Sequence, residues 1–265
     1  MPEKNPPFLL FARAGFAARG IMYLLVAWLA LRVGRSEDAG GALAYLGSGA
    51  GRLVLAGMAL GFAGYSAWRL LDAALGTEAR GSGWKNIRHR LVAAGSGCVH
   101  LGLAFSAAKL ALGAGGGSGG GSRTAEAGAA TAMSLPGGPA VLTIAAAILL
   151  AVAGAQLAVG LGRRFLRHMR PEAKRHAWIV AVGMAGYCAR GAIFAVAAWL
   201  MFRASTHHSP AEAGGLGDAL AAMPGALRAA VAAGLALFGL FSLIEAWLRA
   251  MRDPKLKARV KRAAQ

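Results

Sequence analysis

Two arginines lie inside long apolar stretches of the chain, where a charge is energetically costly and therefore informative. Arg190 lies about twelve residues into a run that begins at Trp178, so at about 1.5 Å per residue it is expected near mid-membrane. Arg19 lies in an equivalent run near the start of the chain, and the candidate partners of both arginines are Glu245 and Asp72. This pattern allows an arginine–carboxylate clamp between helices, which we favour, or an ion or proton pathway.

His100 is the one histidine well inside an apolar stretch, so it could titrate near neutral pH. A neutral, hydrogen-bonded packing histidine is the favoured interpretation. Together with the arginines it defines a candidate intramembrane polar site, whose members are Arg19, Tyr23, Arg69, Asp72, Ser96, His100, Gln156, Arg190 and Glu245.

The sequence offers little to other kinds of chemistry. No nucleophile–base constellation is visible, so we expect no enzymatic activity. The His207-His208 pair has no further ligand nearby, which argues against a metal site, and no cofactor motif is present. The glycine tract at 115–121 is not a phosphate loop, since no Lys-Ser/Thr follows it.

Composition indicates a chain threaded through a bilayer. Of 265 residues 57% are hydrophobic and only 15% charged, yet the net charge is +18. Because the basic residues sit in short connectors between apolar runs, a membrane protein is favoured over a nucleic-acid partner. Six runs are long enough to span about 30 Å of hydrocarbon as helices. They are Phe8–Leu31, Leu53–Leu75, Leu91–Leu112, Ala140–Leu161, Trp178–Phe202 and Leu227–Leu248.

The distribution of lysine and arginine predicts the orientation. Both ends of the chain and the second and fourth connectors hold 19 of these residues, and the other three connectors hold seven. The positive-inside rule therefore places both termini in the cytoplasm of a plasma membrane. The same basic face predicts attraction to anionic lipid headgroups, while a protein partner or an oligomer stays open.

An internal repeat links the odd-numbered runs. Each contains a glycine that follows a polar residue, as Arg19-Gly20, Ser96-Gly97 or Arg190-Gly191. An aromatic ring or histidine follows three residues later, and an aromatic and a basic residue follow further on with identical spacing. We interpret the glycines as helix-packing positions. The later residues, interpreted as interface anchors rather than an anion-attracting ring, are Trp28, Phe105, Trp199, Arg32, Lys109 and Arg203.

The even-numbered runs match less closely. The stretch 64–69 aligns with 240–245, which places Ser66 opposite Ser242, and the register of Gly154-Ala155-Gln156 in the fourth run stays open. The predicted organisation is an all-α protein of three parallel two-helix repeats forming a pseudo-threefold bundle. The repeats cover 8–76, 85–163 and 176–252, with a Gly/Ser-rich connector at 113–122 and a basic tail at 253–265.

These motifs resemble a bacterial membrane family known as domain of unknown function 1206. The resemblance is carried by Ala18-Arg19-Gly20, the stretches 64–69 and 96–101, and Ala189-Arg190-Gly191. It covers the chain from about Phe11 to Arg252 and implies a helix pair occurring three times in a bacterial membrane. It implies no activity.

Three classes of function stay open. The first is a small channel or transporter-like bundle for an ion or solute, which the arginines at membrane depth favour. The second is a structural or interaction scaffold without transport. The third, less favoured, is a membrane enzyme or lipid-binding protein.

Overall fold

Six long helices dominate the computed structural model, which describes residues 7–33, 39–76, 83–114 and 121–249. Each is long and apolar enough to cross a membrane, which confirms the six predicted spans. They are α1 (Pro7–Trp28, continued by a π-helical turn Leu29–Val33), α3 (Gly51–Leu75), α4 (Trp84–Ala111), α6 (Gly138–Leu161), α8 (Ala177–Thr206) and α10 (Gly225–Leu248). Four shorter helices lie between them: α2 (Ala39–Tyr45), α5 (Gly121–Met133), α7 (Pro171–Arg175) and α9 (Leu216–Ala221).

Local sequence sets several helix ends. Helix α3 stops at Gly76, which adopts the left-handed conformation at φ 64° and donates its N–H to the Asp72 carbonyl. Helix α6 begins after Gly137, at φ 75°, with Pro139 in its first turn, where a missing N–H costs nothing. At α9 the Asp218 carboxylate accepts the Gly215 N–H at 2.8 Å and so caps the first turn.

The spanning helices pack side by side in the order α4, α3, α1, α10, α8, α6. Spanning helices that follow one another in the chain therefore pack together, as do the first and the last, α1 and α10, with one exception. Within the described ranges α4 and α6, the two helices of the second repeat, do not form a packed pair. The array therefore has α4 and α6 at its two ends, and we call the place where these two helices do not pair the α4/α6 gap.

One end of the bundle is filled by short helices. We call it the far side, and the opposite end, where α3 ends, α4 begins and the connector 162–176 lies, the basic side. On the far side α2 and α9 insert Leu43 and Leu220, both fully buried, into the core formed with Leu29, Leu55 and Leu235. The Gly/Ser-rich connector predicted at 113–122 ends earlier, because Gly121 and Ser122 already belong to α5; residues 115–120 lie outside the described ones.

The basic side is covered by the connector between α6 and α8. Its 3₁₀ turn Arg164–His168 buries Phe165 against Gly183 and Phe241, and Met169 and Ala173 are buried with them. The connector also bonds to the end of α10, since the Arg170 N–H donates to the Leu248 carbonyl at 2.9 Å. The predicted basic tail at 253–265 lies outside the described residues.

Candidate intramembrane arginine site

The interface between α1 and α10 carries a buried ion pair. Arg19 donates from Nη2 to Glu245 Oε2 at 2.5 Å and from Nε to Ser242 Oγ at 3.2 Å. Arg249 donates from Nη1 to the other carboxylate oxygen, Oε1, at 2.8 Å. The Glu245 side chain is only 1% exposed, so its charge is balanced inside the protein. We call Arg19, Glu245 and Arg249 the clamp, and it joins the first repeat to the third.

Aromatic rings alternate with the guanidinium groups around the clamp. Phe16 lies between two arginines, with its ring centroid 4.7 Å from Arg19 Cζ and 4.8 Å from Arg249 Cζ. Arg249 also lies 5.5 Å from the Trp68 ring, and Arg69 lies 5.4 Å from the same ring. Cation–π contacts at these distances stabilise guanidinium charges that are removed from water.

Arg190 continues this arrangement but lacks a carboxylate. Its Cζ lies 4.6 Å from the Phe238 ring, 5.0 Å from Phe194 and 5.4 Å from Tyr23. Its Nε is buried without a hydrogen-bond partner. Arg190 was expected to pair with Glu245 or Asp72, and it pairs with neither, because both acids are taken by other cations. Among the described residues Arg190 has no ion-pair partner, and its side chain is only half-buried.

Asp72 forms a separate cluster near the basic side of α3. Its fully buried carboxylate lies 2.8 Å from His89 Nε2 and 3.5 Å from Arg69 Nη1. His89 comes from the first turns of α4, so this cluster joins the first repeat to the second. Asp72 and Glu245 thus have the same task at two different repeat interfaces.

The repeated glycines all lie at helix contacts. A Cβ placed on Gly20 would lie 2.7 Å from Leu243 Cδ2, on Gly97 2.7 Å from Leu70 Cδ2, and on Gly191 2.6 Å from Leu157 Cγ. Any larger residue would force these backbones apart. Each glycine of an odd-numbered spanning helix therefore packs on the even-numbered helix of the preceding repeat.

These contacts fix the register of the even-numbered helices. Leu70, Leu157 and Leu243 occupy the same place against their glycines. The alignment of Ser66 with Ser242 was therefore wrong by three residues. It rested on an aromatic residue followed by serine in both helices, whereas the contacts align Leu70 with Leu243. The ring contacts support the correction, since Phe16–Tyr65 at 5.2 Å in the first repeat corresponds to Tyr187–Phe238 at 5.3 Å in the third.

The corrected register explains why Arg190 has no acid. Two residues after the shared leucine come Asp72 in α3 and Glu245 in α10, but Val159 in α6. Arg190 should meet α6 as Arg19 meets α10, and α6 offers valine where the carboxylate would be. The second repeat also has Ser96 in place of the arginine, so it lacks both members of the pair.

The other predicted residues of the second repeat are near the arginines without bonding to them. His100 Nδ1 lies 2.7 Å from the carbonyl of Ser96, and its ring lies 4.3 Å from that of Tyr65. It is close enough to Arg19, Arg190 and Arg69 to sense their charges. Tyr23 is buried with its ring 5.0 Å from Phe238, while Ser96 and Gln156 are half-buried and have no side-chain hydrogen bonds among the described residues.

The predicted interface anchors lie near the far side. Trp28, Phe105 and Trp199 are 43%, 67% and 57% exposed, so they point away from the core. Lys109 lies over the Phe105 ring at 5.7 Å, and Arg203 pairs with Glu212 at 3.1 Å. Arg32 is exposed in the π-helical turn. None of them contacts the arginine site.

Three residues of the site, Arg249, His89 and Val159, were not predicted. Arg249 follows the last predicted span and was counted with the basic tail, and His89 was not singled out because it lies in a basic connector. Val159 carries no chemical signal, and only the register of α6 shows that it stands in an acid position. No cluster of three His, Cys, Asp or Glu residues fit for a metal ion occurs in the described parts of the chain.

Comparison with known proteins gives one match. The family model described as Domain of Unknown Function (DUF1206) matches three regions, 14–76, 91–163 and 185–249, one for each helix pair. No curated protein and no solved structure shows significant similarity to the chain. Since the three regions cover most of the sequence and repeat the same two-helix unit, this chain, with its six apolar helices, is a multi-pass membrane protein that belongs to the DUF1206 family.

Proposed function

We propose that this chain is a transporter-like membrane bundle that binds an anion at Arg190. The unpaired guanidinium carries the proposal. A cation at membrane depth costs several kcal/mol unless a counter-charge meets it. The rings of Phe238, Phe194 and Tyr23 offset part of that cost, but its buried Nε still lacks an acceptor. An anionic ligand would give Arg190 the counter-charge and hydrogen-bond acceptor that Glu245 gives Arg19.

The charge balance around the site favours an anion over a cation. The clamp contains two guanidinium groups on one carboxylate, and Arg190 adds a third positive charge at the Phe238 ring, which Arg19 also contacts. A bound cation would be repelled by these guanidinium groups, and the carboxylate of Glu245 is already shared by two of them. Halides, carboxylates and phosphates are complementary to such a site.

The proposed topology follows the charge pattern and the repeat contacts. Both termini and the basic side face the cytoplasm of a bacterial plasma membrane, because the connectors on that side carry most of the lysines and arginines. The three repeats form a pseudo-threefold ring, since each repeat glycine packs on the preceding repeat. Exposed Arg164, Arg167 and Arg170 on the basic side then attract anionic headgroups. We assign the chain no catalytic step.

A continuous pore is not part of the proposal. The far side is filled by buried leucines from α2 and α9, and the basic side is covered by Phe165 and the clamp. A transported anion would need the bundle to rearrange, as in a carrier. This arrangement favours slow, saturable movement over channel conductance.

Anion uptake into proteoliposomes tests the proposal. We expect saturable uptake of chloride, acetate or phosphate by the wild type and at least a tenfold loss in Arg190→Gln, if the ligand contact follows ordinary charged hydrogen bonds. Val159→Glu should also abolish uptake by giving Arg190 an internal counter-charge, whereas Val159→Gln should not. Binding and uptake that are absent in the wild type, or equal in Arg190→Gln, would contradict it.

The alternative is a scaffold without transport. It is favoured by the packed far side and by the clamp, which holds the first and third repeats together in the way a static bundle requires. The scaffold would be supported if the protein binds no anion but co-purifies with a defined membrane protein, and if Arg190→Gln leaves that co-purification unchanged.

A further inference from the structure

The route to Arg190 decides which kind of anion can reach it. From the far side the route is blocked by the core around Leu43 and Leu220, which have no exposed surface. From the basic side it is blocked by Phe165 and Met169, 3% and 2% exposed, and by the clamp. Water-soluble anions from either side therefore meet packed side chains.

The side of the bundle is different. At the α4/α6 gap the two end helices of the described array do not form a packed pair, whereas every other step of the array is packed. Both flanking helices present apolar surface, with Val99, Leu101, Ile144 and Ile148 all more than half exposed. His100 of α4 and Gln156 of α6 are half-buried polar groups on these same two helices. A lateral route therefore starts in hydrocarbon and approaches polar side chains further in.

Resting on the proposed anion site, we propose that the ligand is an anionic amphiphile that enters from the bilayer through the α4/α6 gap. Its carboxylate or phosphate meets Arg190, and its hydrocarbon tail stays along α4 and α6. Charge complementarity selects the head, because the second repeat supplies no acid at Val159. The apolar surface suits a tail, because a tail partitions into the bilayer and so brings the charged head to the faces of α4 and α6.

The amphiphile also gives a role to Gln156 of the second repeat. It has no side-chain hydrogen bond in the described structure and offers an amide donor on α6. Gln156 can therefore assist a head group that one guanidinium holds, without adding charge. His100 is different, because its Nδ1 donates to the Ser96 carbonyl and leaves Nε2 of the neutral ring as an acceptor, which does not favour an anion.

Binding of radiolabelled oleate to the purified protein in phosphatidylcholine nanodiscs tests this inference. Acetate has the same charge without the tail, and oleyl alcohol has the tail without the charge. We expect saturable oleate binding that neither compound displaces at equal concentration. Arg190→Gln should weaken binding about tenfold to a hundredfold, and Arg190→Lys should weaken it less.

Matched variants separate the site from general lipid attraction. Val159→Glu should weaken oleate binding as Arg190→Gln does, whereas Val159→Gln and the exposed Arg203→Gln should leave it unchanged. Equal oleate affinity in the wild type, Arg190→Gln and Val159→Glu would overturn the inference, and gel filtration verifies that each variant is folded. If acetate competes as well as oleate, the anion site stands and the amphiphile is wrong; if neither binds, both proposals fail.

Discussion

Arg19 and Arg190 occupy the same position in the first and third repeats, yet they are bound in opposite ways. Arg19 lies over Phe16, three residues before it, and binds Glu245, whereas Arg190 lies over Phe194, four residues after it, and contacts aromatic rings but no acid in the described part of the chain. The difference arises on the partner helix, where α10 has an acid and α6 has Val159. A repeated motif can therefore be structural in one copy and available for a ligand in another, because its role depends on the helix opposite.

Loss of the clamp acid should have the largest effect. In Glu245→Gln the guanidinium groups of Arg19 and Arg249 both lose their counter-charge inside the protein. Breaking a buried pair in this way costs about 3–5 kcal/mol, so we expect a strong fall in the free energy of unfolding. Denaturation in detergent or bicelles measures it, with Glu212→Gln as the surface control. A change no larger than that of the control would show that the clamp does not hold the repeats together.

Neutralising each arginine in turn tests the comparison directly. Arg19→Gln removes a charged hydrogen bond to Glu245 and should cost about 1.5–3 kcal/mol. Arg190→Gln removes a cation with no acid partner in the described structure, so stability should stay the same or rise. Both variants keep a long polar side chain, which limits packing changes. Equal destabilisation by the two would mean that Arg190 has a structural role like that of Arg19.

Glycine contacts should give smaller and graded effects. In Gly20→Ala the new methyl group would lie 2.7 Å from Leu243 and 2.8 Å from the Gly239 carbonyl, so α1 and α10 must separate. Such overpacking costs about 1–3 kcal/mol. Gly57→Ala is the control, since no atom lies within 4 Å of its Cβ position. Gly191→Ala should resemble Gly20→Ala, and an effect confined to Gly20 would break the proposed equivalence of the repeats.

The sequence predicted the helices better than their partners. Long apolar runs and glycine spacing survive in any lipid-embedded helix, so six spans and three repeats could be recognised. Pairing depends on the register of two helices, and α6 has few distinctive residues to set it. The sequence alignment relied on an aromatic residue followed by serine, at Ser66 and Ser242, and so missed the equivalent leucines that the contacts identify.

Site residues near helix ends were the hardest to predict. Arg249 counts as a basic flanking residue by charge alone, although its side chain turns back to Glu245 within one helical turn. The short helices α2 and α9 are rich in glycine and alanine, and they fold because the bundle end offers an apolar surface for Leu43 and Leu220. Such tertiary effects leave no local pattern in the sequence.

The smallest effect is expected at the exposed carboxylate of Glu212, the surface counterpart of Glu245. Its hydrogen bond from His207, followed by the charge of Arg203, lowers the pKa of this carboxyl below its ordinary value. A lowered folded-state pKa means that its contribution to stability is present above the unfolded pKa and is lost as the pH falls through the folded pKa. Wild type and Glu212→Gln should therefore differ slightly near pH 6 and converge once the pH falls below the lowered pKa of Glu212. Unfolding curves across this range measure the difference.

Added salt separates this surface pair from the buried clamp. Because water and salt screen an exposed pair, added salt should remove the difference between wild type and Glu212→Gln, whereas the effect of Glu245→Gln should persist. Equal salt sensitivity of the two variants would remove the distinction between the buried clamp and the surface pair.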